Sequence, residues 1–301
     1  MNEKTTKQIE EMMNQTIGVE VEMNSITRAK AAQIAADFFG THRHENTAGR
    51  NGYCTYSAWD SEGREWKFQK DVSIAGPDSE KCEMVTPILT YKDMETLQEL
   101  IRRLRKAGAM VNSSCGIHIH IGADQHTPRS LRNLVNIFTS KQDIIFKALA
   151  VDVSRQRYCK KLENTLSENF NKKRPADMSK VADIWYAGYS DSRSAHYNPS
   201  RYHAVNLHAV FTKGTVEFRC FNSTLHAGKV KAYIQFCLAV SHQAITQKCA
   251  SSKVTVSDNE KYTFRCWLLR MGLIGDEFAT CRKFMLENLD GDIAWRYGQS
   301  A

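Results

Sequence analysis

The stretch Cys115-Gly116-Ile117-His118-Ile119-His120-Ile121-Gly122 decides how the rest of the chain is read. Side chains of a β-strand alternate between its faces, so His118 and His120 point one way and Ile117, Ile119 and Ile121 the other. The isoleucines then belong to a core, and the imidazoles stand about two strand rises of roughly 3.3 Å apart on the opposite face. Two further stretches repeat the pattern with charged residues, Ile17-Gly18-Val19-Glu20-Val21-Glu22-Met23 and Thr215-Val216-Glu217-Phe218-Arg219-Cys220-Phe221. If the three share one sheet with Val19, Val21, Ile117, Ile119, Val216 and Phe218 in the core, its other face carries Glu20, Glu22, His118, His120, Glu217 and Arg219. Burying such a floor without compensation is costly, so water, or metal and a polyanionic ligand, should occupy it.

The 301 residues suffice for one large domain or two small ones with a substantial core. Nine cysteines, an odd number without CxxC spacing, argue against a disulfide framework or a zinc ribbon and read as reduced, packed thiols. No apolar run approaches the roughly 18 residues of a membrane span, and the charged start MNEKTTKQIEEMMNQT lacks the apolar core of a signal peptide. The expectation is a cytoplasmic protein with no membrane partner. Net charge is +8, and residues 101–174 hold fifteen Lys or Arg against five Asp or Glu, a balance that favours anionic partners. Much of that charge falls at helix-surface spacing, which favours a solvated face over a nucleic-acid-binding one.

Along the chain, residues 1–15 read as an N-terminal tail, 16–250 as the main domain and 251–301 as a C-terminal helical extension. Thr27 can cap a helix that Gly40 ends, and 41–52 reads as a polar loop. Tyr53–Trp59 and Glu65–Lys70 read as a hairpin. Lys81–Thr86 extends until Pro87 stops it, with Glu83 able to face the charged floor. Helices are predicted near 93–107 and 128–150, the second with proline at a favoured first position. Residues 154–200 show no sustained period and read as an irregular insertion or lid. Tyr202–Val210 alternates as a strand, Lys213-Gly214 turns, and the Glu217 strand pairs back. Helical patterns follow near 229–248, 260–270 and 276–289.

Carboxylate oxygens with an imidazole suit Mg²⁺ or Mn²⁺ held against phosphate oxygens better than a thiolate or all-histidine zinc site. Arg219 adds a guanidinium for the same polyanion, and a nucleoside triphosphate fits that description. No Walker A loop is present and no GxGxxG links a strand to a helix, so metals would have to hold much of the phosphate of ATP.

Five short blocks, in order, carry a family resemblance: Gly18-Val19-Glu20-Val21-Glu22; Asp71-Val72-Ser73 with Glu83-Met84-Val85-Thr86-Pro87; Cys115 to Gly122; Arg201-Tyr202 with Asn206-Leu207; and Gly214-Thr215-Val216-Glu217-Phe218-Arg219. Together they resemble the amidoligase family, which is similar to glutamine synthetase and glutamate–cysteine ligase. The resemblance implies an α+β fold: a curved, mainly antiparallel sheet with helices on its outer face, shared with guanidino kinases. Its concave face would hold ATP with Mg²⁺ or Mn²⁺. It implies one metal on Glu20, His118 and Glu217, and another on Glu22 and Glu83 with Asp71 as a possible companion. His120 would face the nucleotide phosphates, Arg219 the transferring phosphoryl group, and Arg201 and Asn206 would orient nucleotide or substrate or serve as strand-end hydrogen bonders. The implied activity is an ATP-dependent ligase joining an amino-acid or peptide carboxylate to an amine. Substrate identity and oligomeric state are left open.

Three rivals differ in what they require. A phosphotransferase of the same fold would give a phosphorylated product and no amide. A metal-dependent hydrolase would turn over with zinc and without ATP. A nucleic-acid-binding protein acting through 101–174 would survive loss of Glu217.

Overall fold

A computed structural model describes residues 3–50 and 52–295. In chain order the elements are α1 (Glu3–Met13), β1 (Ile17–Met23), α2 (Arg28–Phe39), β2 (His44–Asn46), β3 (Tyr56–Trp59), β4 (Glu65–Gln69), β5 (Cys82–Val85), α3 (Met94–Lys106) and β6 (Gly116–Gly122). There follow α4 (Pro128–Ala148), α5 (Asn164–Lys173), α6 (Met178–Trp185), β7 (Val205–Asn206), α7 (His208–Thr212), β8 (Thr215–Asn222), α8 (Ala227–Thr246), α9 (Glu260–Arg270) and α10 (Ala279–Leu286). The fold is α+β. Its one eight-stranded sheet has the order β2-β3-β4-β5-β1-β6-β8-β7, and neighbouring strands are antiparallel.

Alternation explains the layers. Val19, Val21, Ile117, Ile119, Ile121, Val216 and Phe218 are fully buried or nearly so on one face, where α2 packs on β3 and β4 and α8 packs on β6. Helices α3, α4 and α10 in turn pack on α8. One apolar cluster runs from Met12 to Leu289, so the segment after 250 shares the core of the sheet domain. Local signals set the helix ends: the Thr27 hydroxyl accepts from Lys30 N at 3.2 Å, and Gly40 closes α2 at φ 71°. Thr127 caps α4 just ahead of Pro128.

Register is interrupted once where it matters. Between the pairs Ile117↔Phe221 and Ile119↔Phe218, β8 carries one residue more than β6. This bulge lets Arg219 stay on the polar face while Cys220 and Phe221 both enter the core.

Several expectations need correction. The expected tail is helix α1, whose Met12 is buried against the rest of the core. The expected polar loop contains β2, an edge strand exposed along its length and therefore without an alternation signal. Tyr202–Val210 is not one strand: the Asn206 side chain accepts from His208 N at 2.8 Å and turns the chain into α7. The irregular insertion holds α5 and α6, short helices anchored by Phe170, Val181 and Trp185. The basic stretch, expected as a solvated face, needs no such correction: there Arg102 and Arg103 pair with Glu99, Lys161 with Asp143, and Lys147 with Glu260 and Asp290. The end of the predicted C-terminal extension, 296–301, lies outside the described residues.

Ile119 lies on the buried face of a central strand, so Ile119→Ala should lower the unfolding free energy by about 2–5 kcal/mol in denaturant titration. The same titration on Ile88→Ala, at a side chain 74% exposed, should move it by no more than about 0.5 kcal/mol.

Candidate active site

Strand pairing assembles the polar floor from sequence-distant residues. β1 and β6 place Glu20 opposite His118 and Gly18 opposite His120; β1 and β5 place Glu22 opposite Glu83; β6 and β8 place His120 opposite Glu217. Directly opposed side chains on one face are within reach of each other. Glu22, Glu83, His118, His120, Glu217 and Arg219 are all buried.

Glu20 is the hub. Its Oε2 lies 2.9 Å from His118 Nδ1, and its Oε1 lies 3.2 Å from His120 Nε2 and 3.0 Å from Lys213 Nζ. His118 Nε2 lies 3.7 Å from Glu22 Oε1, and Glu217 Oε1 is 3.8 Å from His118 Nδ1 and 3.7 Å from His120 Nε2. Glu217 is also held by Arg219 Nη1 on one oxygen and by Asn206 Nδ2 at 2.5 Å on the other. Gly116 N–H donates to Glu22 at 2.7 Å, and Gln69 donates to Glu83 at 2.7 Å.

Burial works against every charge here, and the neighbours decide the outcome. For Glu20 it is outweighed by the charges of His120 and Lys213 and by the His118 contact, which hold the carboxyl well below its usual range. Arg219 does the same for Glu217. For Glu22 burial and the nearby Asp71 outweigh the Gly116 N–H and the charges of Arg155 and Arg219, and push it up to about 7. Burial, Glu20, Glu22 and Asp71 drive Glu83 well above the usual carboxylate range. Burial and Arg219 lower His118 to about 4, which leaves a neutral imidazole with a lone pair to offer near pH 7.

The donor set fits divalent cations. Three groups bring their ligand atoms within 4.8 Å of one another: Glu20, His120 and Glu217; Glu20, Glu83 and His118; and Glu22, Asp71 and Glu83. His120 Nε2 is buried with no hydrogen-bond partner, although carboxylate oxygens of Glu20 and Glu217 flank it. His120 Nδ1 lies 2.8 Å from Thr215 Oγ1, the outer contact that fixes the orientation of a ligating imidazole. Carboxylates with imidazole favour Mg²⁺ or Mn²⁺. Cys115 beside the floor joins none of these groups, and burial raises its thiol.

The floor borders two larger cavities and a smaller one of 220 Å³ over Glu217 and Asn206. A cleft of 530 Å³ lies over Glu20, Glu22, Glu83 and His118, walled by Arg155, Tyr158, Arg201 and Arg219. A more apolar pocket of 370 Å³ lies at the other end, between Gly18, Val85, Pro87, Ile88, His120 and Thr215. Lys213 borders both. Across the cleft, Tyr53 meets the insertion, its hydroxyl 2.8 Å from Tyr197 Oη and 3.2 Å from His196 Nε2.

All the metal candidates, with Arg219 and His120, come together on this floor. Both imidazoles lie near the carboxylates that the resemblance names: His118 Nδ1 is 2.9 Å from Glu20 and 3.8 Å from Glu217, and His120 also groups with those two acids, while His118 groups with Glu20 and Glu83 as well. Asp71 joins Glu22 and Glu83 as the possible companion. Asn206 faces Glu217 and the α7 backbone. Arg201 borders the cleft, donates to His196 O at 3.0 Å and lies over Tyr197 and Tyr202. Sequence reading missed Lys213, taken only as part of a turn, and Arg155, which lies in a segment without period. Thr215 carried a usable signal, because it sits two residues before Glu217 on the same strand face.

The family model described as "Putative amidoligase enzyme" matches residues 13–241. No curated protein matches the chain. A solved structure, "a bifunctional glutathione synthetase from Pasteurella multocida", superposes with a TM-score of 0.41 at 12% identity, over 95% of this chain and 48% of that one. The chain thus spans about half the length of that protein. The matched segment covers β1, β5, β6 and β8 and every strand that builds the floor, and by that match the chain belongs to the amidoligase family.

Proposed function

We propose that the chain is an ATP-dependent carboxylate–amine ligase that works through an acyl phosphate on the floor of the sheet. The observation that carries the reading is the set of buried Glu22, Glu83, Glu217, His118 and His120 with half-buried Glu20 and Asp71, arranged in three groups with cation-ligand spacing. Divalent cations held there would draw charge from the phosphates of ATP. Membership of the amidoligase family supports a ligase, and the cleft and pocket at either end of the floor offer separate places for acid and nucleotide.

The apolar pocket between Gly18 and Ile88 would take the nucleoside, which puts His120 and Lys213 beside the phosphates. Gly18 suits that approach: a Cβ there would stand 3.4 Å from His120 Cβ and project over the opening. A carboxylate oxygen of the acid attacks the γ-phosphorus, ADP leaves, and the amine then attacks the acyl carbon and expels phosphate, losing a proton. Arg219, fixed by Glu217 and by the Tyr158 carbonyl, would face the transferring charge. The insertion tied to Tyr53 would limit access of water to the acyl phosphate.

ADP and phosphate release from MgATP, measured with pooled amino acids and peptides alongside mass spectrometry, tests the reading. Substrate-stimulated ADP release, with a product weighing the two reactants less water, is expected, as is a loss of at least about 100-fold in Glu217→Ala. A phosphorylated product without an amide would make the protein a kinase, and turnover with zinc in the absence of ATP would make it a hydrolase.

Glu22 and Glu83 also set a pH dependence. Their folded-state values lie above the unfolded one, so the stability they contribute is complete below about pH 4.5 and is lost as pH rises, through about 7 for Glu22. Calorimetric melting of chelator-treated protein should therefore show this destabilisation between pH 5 and 8, in steps of about one pH unit. Added Mn²⁺ should raise the melting temperature by an increment that grows over the same range, because cations displace protons from the carboxyls. An increment independent of pH would count against Glu22 and Glu83 as ligands.

A further inference from the structure

The cleft wall contains a guanidinium with no direct ion-pair partner among the described residues, although its charge acts at longer range on Glu22 and Asp152. Arg155, in the turn after α4, is 3% exposed, yet among the described residues its side chain makes a single hydrogen bond, from Nη1 to the Phe221 carbonyl. Among the described residues no carboxylate lies within ion-pair distance of it, although its field reaches Glu22. Arginine carries five N–H donors and stays charged. Leaving such a group buried without an anion costs far more than a missing surface pair.

Its position is built. The guanidinium lies over Gly116, where a Cβ would come within 2.0 Å of Nη2 and 2.6 Å of Cζ, so only glycine admits it. Gly116 N–H meanwhile donates to Glu22 on the same floor. Arg155 borders the cleft together with Ser114, Tyr158 and Arg219. From Gly116 to His118, beside the cation-ligand groups, is about 7 Å along the strand.

We infer that Arg155 binds a second anionic group of the acid substrate, which is therefore an acid bearing a further carboxylate a few carbons from the one that is activated. This deepens the ligase reading and rests on it. The activated carboxyl lies at the Glu20–Glu22–His118 end of the cleft. The second carboxylate lies over Gly116, where the free donors of Arg155 form the fork that a carboxylate accepts. Arg219, committed to Glu217, is left to the phosphoryl group.

The test is calorimetric titration of the full chain, loaded with Mn²⁺ and a non-hydrolysable ATP analogue, with glutarate and with pentanoate, which has the same carbon count and one carboxylate. Wild type should bind glutarate at least about tenfold more tightly, and Arg155→Gln should lose roughly 10–100-fold in glutarate affinity with pentanoate unchanged, the loss expected for hydrogen bonds to a charged group. Arg155→Lys should keep part of the preference. Gly116→Ala, which displaces the guanidinium without removing it, should lose it. A purely structural Arg155 would lower both affinities alike or neither, and that result overturns the inference, as does wild type binding the two acids equally or binding neither. In those cases intact Mn²⁺–nucleotide binding leaves the ligase reading standing. Failure of wild type to bind Mn²⁺ and nucleotide at all overturns both.

Discussion

The structure depends on the antiparallel pairing of β1 with β6, which sets Glu20 against His118 inside the protein. The same strands bury Val19, Val21, Ile117 and Ile119 on their other face. A slip of one residue would turn the charges into the core and the isoleucines onto the floor. Apolar burial thereby fixes the register, and the register fixes where the carboxylates stand.

Held this way, the floor has a gradient of charge along its length. Lys213 and Thr215 stand at the apolar pocket, Glu20, Glu217 and the imidazoles in the middle, and Glu22, Asp71 and Glu83 toward Gly116 and Arg155. Arg219 and Lys213 help keep Glu20 and Glu217 ionised, whereas burial and Asp71 raise Glu22 to about 7, and burial with Glu20, Glu22 and Asp71 raises Glu83 well above the carboxylate range. The two halves therefore differ in readiness for a cation, one charged in advance and one that must release protons first.

Legibility in the sequence followed the physics of each element. The floor could be read because β1, β6 and β8 each have one apolar face, and alternation survives without knowledge of partners. Where no face is buried, as in β2, or where a side chain redirects the backbone, as Asn206 does ahead of α7, alternation misleads. Arg155 and Lys213 were illegible because their surroundings come from contacts with Gly116 and Glu20, far away in the chain. The β8 bulge, which decides that Cys220 and Phe221 both enter the core, leaves no mark in motif order.

On the proposed function, the acid–imidazole floor holds divalent cations against a polyphosphate. Paramagnetic titration of Mn²⁺ into the full chain, with and without a non-hydrolysable ATP analogue, addresses it most directly. The account predicts binding that the nucleotide strengthens and that Glu20→Gln, at the carboxylate shared by two of the three groups, weakens by at least about tenfold. Mn²⁺ binding no stronger than that of scattered surface carboxylates, or equal in wild type and Glu20→Gln, would contradict it.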